Sequence, residues 1–70
     1  MSEPLDLEAR RQIGHDTRKP LVSLIGTAHI LLLGLDGDLS DQARTDIERI
    51  KRNAEQALQG IDKLIELLDK

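Results

Sequence analysis

The chain contains no cysteine, tryptophan, tyrosine or phenylalanine. Without cysteine no disulfide can staple the fold and no thiolate can bind a metal, which fits a reducing compartment. Without aromatics there is no platform on which nucleic-acid bases stack. Positive charge is not in excess either. Ten Lys and Arg face thirteen Asp and Glu, for a net charge of −3 with both signs interspersed. That argues against a nucleic-acid partner. Long apolar runs are missing as well. "HILLLGL", His29 to Leu35, is far too short to cross a bilayer. The start, "MSEPLDLEARR", puts acids first with no apolar segment behind them, so it is not read as a signal peptide. The expected location is the cytoplasm, with no membrane contact by this segment. Its 70 residues make one small domain, and a domain of this size buries little apolar surface unless a partner adds to it.

What is present is helical periodicity on either side of one break. The break is "GLDGDLS", Gly34 to Ser40, rich in turn residues. Gly34 or Gly37 can end a helix in the left-handed conformation. Ser40 is a good N-cap, with Asp41 favourably placed at the positive end of the following helix. The spacing predicts one domain over 1–70, with a helix over about 5–33, a turn over about 34–39 and a second helix over about 40–69. In the second helix Ala43, Ile47, Ile50, Ala54, Ala57, Ile61, Leu64 and Leu68 recur in steps of four and three, a heptad seam. The first helix repeats those steps through Thr17, Leu21, Leu24, Ala28, Leu31 and Leu35. Ile25 and Leu32 widen its stripe to roughly 120°, centred near Leu24 and Leu35. One partner helix cannot cover a face that wide. The expected fold is all-α: an antiparallel helical hairpin that dimerises into a four-helix bundle. The alternative is a hairpin docked on some other domain.

One stretch carries chemistry. "IGHDTRKPLVSL" places His15, Asp16, Arg18 and Lys19 within five residues and follows them with Pro20. His15 points roughly 160° from the centre of the stripe, into water. Arg11, Arg18 and Lys19 lie four before, three after and four after it, within reach on the helix surface and able to attract phosphate. Asp16 offers a proton acceptor, although adjacent helix positions diverge. A solvated charged face is the plainer account of the same residues. Pro20 cannot donate to the carbonyl of Asp16 and crowds it, so it should kink or loosen the helix there, or else begin a separate helix. Metal sites fail on spacing. His15 and His29 would stand roughly 21 Å apart along a helix, and "DGDLSD" lacks the calcium loop that ends in a bidentate Glu.

"HDTRKPL" resembles the phosphoacceptor motif of sensor histidine kinases, His-(Glu/Asp)-x-x-(Thr/Asn)-Pro-Leu. The turn and second helix, "LLLGLDGDLSDQARTDIERIKRNAEQALQGIDKLIELLDK", are similar to those of the same dimerisation and histidine phosphotransfer domain. The resemblance implies that His15 accepts the γ-phosphoryl of ATP through Nε2, with Asp16 as its acidic partner, Arg18 beside it and Pro20 as a hinge. It implies transfer onward to an aspartate of a response-regulator receiver, docked on Val22, Gly26 and His29, with Arg44 on the second helix. Lys19 stands where the family has Thr or Asn to place a dephosphorylating water, so this domain is expected to pass phosphate on but to dephosphorylate a regulator poorly. No glycine-rich nucleotide lid or Asn-containing box occurs. ATP would therefore act through a separate ATP-binding kinase domain, and the chain itself would bind no cofactor. The partners implied are a second copy of the chain, that kinase domain and the receiver. A free-standing phosphotransfer protein and a purely structural dimerisation module are the alternatives.

Overall fold

Asp6 opens the first helix of the computed structural model, which describes residues 6–69. Its backbone is extended, and its Oδ1 accepts a hydrogen bond from the Ala9 N–H at 2.7 Å. This satisfies one of the donors that a helix start leaves unpaired. Helix α1 spans Leu7–Leu32. The expected start near residue 5 lies outside the described residues. At the other end Leu33 is a cap and not a helical residue: its N–H donates to the His29 carbonyl at 3.0 Å. Gly34 follows at φ +76° and donates to Leu31 at 3.1 Å, a left-handed closure that a β-carbon would oppose.

The helix runs through Pro20 as one element. The reading in which Pro20 starts a separate helix is therefore set aside. The proline removes one ladder bond, but the turns on either side continue. Near it the Thr17 hydroxyl donates to the Ile13 carbonyl at 2.7 Å, a side-chain bond that often accompanies helix bending.

Ser40 begins the second helix as its residue type suggests, its Oγ accepting from the Ala43 N–H at 3.1 Å. Helix α2 spans Asp41–Leu68 and ends on Asp69, whose N–H donates to the Ile65 carbonyl at 3.0 Å. Ser40 and Asp69 are thus caps, one residue outside the helix at each end. The two helices pack on each other as an all-α hairpin about 55 Å long.

The buried core is small. Ala28 and Ala54 are 4% exposed and Ile65 is 9%, and Gly14 is buried against Ile65. Leu21, Ile25 and Leu32 on α1 and Ile47, Leu58, Ile61 and Leu68 on α2 are half-buried around this line. The heptad seam of α2 therefore splits. Ile47, Ala54, Ile61 and Leu68 turn toward α1, whereas Ile50, Ala57 and Leu64 remain exposed. The α1 stripe shifts in the same way: Leu24 is 44% exposed and Leu35 71%. Its expected centre is not the hairpin core, because one partner helix covers only the edge of so wide a face.

Two cross-helix ion pairs mark the register. Arg18 Nε donates to Asp62 Oδ1 at 2.8 Å. Arg11 Nε lies 2.7 Å from Asp69 Oδ1, close enough for an ion pair though not aligned for a hydrogen bond, and Arg11 Nη2 donates to the Leu68 carbonyl at 3.4 Å. Arg11 and Arg18 are seven residues apart, as are Asp62 and Asp69, so one antiparallel alignment satisfies both pairs.

Gly14 sets the closest approach. A β-carbon there would stand 2.8 Å from Ile65 Cγ1. Gly26, in the same helix, has nothing within 4 Å of that position. Gly14→Leu is expected to destabilise the fold by about 1–3 kcal/mol through overpacking, more than its gain of about 1 kcal/mol in helix propensity. Gly26→Leu should stabilise it. Urea unfolding followed by far-UV circular dichroism separates the two; midpoints shifted alike would mean that α1 and α2 do not meet so closely.

Candidate functional site

The packing of Gly14 turns His15 outward. Successive helical residues are about 100° apart, so a glycine pressed on Ile65 leaves its neighbour on the helix flank. His15 is exposed. It lines an open groove with Arg18, Lys19, Val22 and Ser23, the i+3, i+4, i+7 and i+8 positions of one helical face. Gly26 and His29 are exposed further along α1.

The three cations expected around His15 part company. Arg11 is drawn to the end of α2, onto Asp69 and the Leu68 carbonyl, with Glu8 at 3.9 Å. Arg18 lines the groove while tied to Asp62. Lys19 is 81% exposed, its Nζ 4.0 Å from Asp16 Oδ1, and has no cross-helix partner among the described residues. Asp16 does not hydrogen-bond to His15. Its Oδ1 accepts from Gln12 Nε2 at 2.9 Å instead, because residues four apart stack along a helix while adjacent ones diverge.

Arg44 is engaged as well. Its Nη1 donates to the Leu32 carbonyl at 3.1 Å, satisfying an unpaired acceptor at the negative end of α1. The residue expected on a docking face thus also ties the start of α2 to the end of α1.

Reading the sequence missed three participants. Ser23 could have been found as the i+8 neighbour of His15. Asp62 could not, since its opposition to Arg18 depends on the register of the hairpin. Gly14 reads as an ordinary helical glycine until its neighbour on α2 is known.

The arrangement suits a reversible covalent step at one exposed nitrogen nucleophile, with cations at hand for an anion. No group of side chains among the described residues could hold a metal ion. No described helix is long and apolar enough to cross a membrane.

Comparison with known proteins agrees with this chemistry. The family model described as the His Kinase A (phospho-acceptor) domain matches residues 10–69. No curated protein and no solved structure gives a significant match. The match takes in α1 from Arg10 onward, the whole "HDTRKPL" motif, the turn and all of α2, so the chain belongs to the His Kinase A family, the phosphoacceptor and dimerisation domains of the histidine kinases of two-component signal transduction.

Proposed function

We propose that His15 is the phosphoacceptor of this domain and that the chain relays phosphate as a homodimer. The observation that carries the reading is an exposed imidazole in "HDTRKPL", on a groove that Arg18 and Lys19 line with it. The His15 Nε2 attacks the γ-phosphorus of ATP held by an ATP-binding kinase domain. An N–P bond forms, the bond from that phosphorus to the bridging oxygen breaks, and ADP leaves. Asp16 takes the imidazole proton after swinging from Gln12, a change of rotamer on the helix surface. A receiver aspartate then attacks the same phosphorus and the imidazole leaves.

The docking face for the receiver follows His15 along α1 through Val22, Gly26 and His29, with Arg44 at its far end. Gly26 leaves room there, since nothing lies within 4 Å of where its β-carbon would be. The second copy covers Leu24, Ile50 and Leu64, which the hairpin leaves exposed. The domain works in the cytoplasm and binds no cofactor of its own. Incubation with an ATP-binding domain and ATP tests the reading: acid-labile phosphate should appear on His15. A chain that stays folded and dimeric yet takes up no phosphate would be a structural module.

Lys19 tunes the relay. It lies four residues after His15, and its ammonium reaches toward a phosphoryl group on the imidazole. It cannot accept a hydrogen bond from water, as a Thr hydroxyl does. Lys19→Thr is expected to raise dephosphorylation of a phosphorylated receiver several-fold, measured as phosphate release with the ATP-binding domain supplied. Equal or faster release by the Lys19 form would remove the water-placing role from this position.

A further inference from the structure

Arg18 stands between two anions, one present and one to come. Its Nε–H is on Asp62 of α2 at 2.8 Å. Its side chain also lines the groove of His15, three residues before it on the same face. The guanidinium has five N–H donors in a planar fork, a shape that suits phosphate oxygens. We propose that Asp62 is a positioning residue of the phosphoacceptor site: it holds Arg18 while His15 is unmodified and yields it to the phosphoryl group once His15 is phosphorylated.

Charge favours the exchange. A phosphoryl group brings about two negative charges and three acceptor oxygens where Asp62 offers one charge. The Arg18–Asp62 pair is weakly held, because its side chains are 45% and 46% exposed. A pair exposed to that degree favours its bound form by at most about fivefold. The other charged side chain lining the groove, Lys19, comes from α1 itself, as does Asp16, which stands 4.0 Å from Lys19 and is hydrogen-bonded to Gln12. Asp62 is therefore the anion through which α2 senses the state of His15. Coupling of this kind is reciprocal: whatever Asp62 takes from the phosphoryl–Arg18 contact, the phosphoryl group takes from the Arg18–Asp62 tie. Phosphorylation thus unfastens one cross-helix clamp, while Arg11 and Asp69, a heptad away, keep theirs.

This inference rests on His15 as the residue that carries the phosphoryl group, and its test does not need the kinase. Phosphoramidate phosphorylates exposed imidazoles directly: the ring nitrogen bonds to phosphorus, the P–N bond of the reagent breaks, and ammonia leaves with the imidazole proton. With His29→Gln as background, the group is placed on His15 and its protonation midpoint is followed by phosphorus NMR from weakly acidic to alkaline pH. Asp62→Asn frees Arg18, so the midpoint should fall, by up to about 0.7 unit, the logarithm of a fivefold preference. With Arg18→Gln also present, the Asp62 substitution should move it by no more than a small part of that amount. Far-UV circular dichroism checks that each variant remains folded. An unchanged or raised midpoint overturns the proposal. So does an equal fall with and without Arg18, which would be the bare field of Asp62 on the phosphoryl group. If an ATP-binding domain never labels His15, the proposed function falls while this titration still decides the exchange.

Discussion

His15→Gln is expected to abolish phosphoryl acceptance and to leave helicity and dimerisation unchanged. Glutamine keeps a polar side chain of similar reach but has no nucleophilic nitrogen. His15 is exposed and makes no hydrogen bond among the described residues, so its loss takes nothing from the packing. The immediate neighbour that does pack, Gly14, is untouched. His29→Gln is the matched control and should keep full acceptance. His29 is exposed too, but stands about 21 Å further along the helix, away from Arg18 and Lys19. The measurement is transfer of radiolabel from ATP in the presence of an ATP-binding domain, followed by acid lability and site mapping. Label that survives in His15→Gln, or maps to His29, would place the chemistry elsewhere.

Leu64→Asp is expected to dissolve the proposed dimer and most of the helical signal with it. The hairpin alone has little to hold it, since the buried apolar side chains among the described residues are Ala28, Ala54 and Ile65. Leu24, Ile50 and Leu64 are still 44%, 46% and 47% exposed. Completing their burial against the proposed second copy would contribute roughly 1 kcal/mol each per chain, a large part of the stability of so small a domain. A carboxylate in their midst costs several kcal/mol, on the order of that whole stability. Ile50→Asp acts at the same surface and should do the same. Ile61→Asp acts between the helices and should unfold the chain irrespective of its partner. Gln59→Asp, on an exposed face, should change little. Light scattering and far-UV circular dichroism report both quantities. In the parent chain the unfolding midpoint should rise with protein concentration, as it does whenever folding and association are linked. A well-folded monomer at micromolar concentration would refute the dimer.

The parts of the fold that depend on neighbours along the chain were legible in the sequence. Ser40 caps α2 because a short hydroxyl side chain reaches the N–H three residues on. Gly34 closes α1 because it lacks a β-carbon. The α2 seam was visible as a repeat, and the outward turn of His15 followed from helical angles alone. Relations between helices were not legible. Periodicity shows which residues are apolar, but does not assign Ile47 and Ile61 to one interface and Ile50 and Leu64 to another. The charges around His15 were visible as a cluster, yet the fate of each was set across the hairpin. Arg11 left for Asp69, Arg18 was held by Asp62, and Asp16 turned back to Gln12. None of those choices follows from spacing on α1.

The paired arginines and aspartates also bear on how the chain tells one alignment from its neighbour. Sliding α2 by one heptad, about 10 Å, would set Asp62 opposite Arg11 and Glu55 opposite Arg18, with Leu58 in the place of Ile65 against Gly14. Each of these three partners would keep its sign or its apolar character. These three contacts alone therefore leave a one-heptad ambiguity in register. What removes it is the segment between them, residues 33–40, with its left-handed Gly34, its Gly37 at φ +131° and the Ser40 cap. That connection has a definite span, and it acts as the ruler that brings Asp62, rather than Glu55, alongside the residues next to His15.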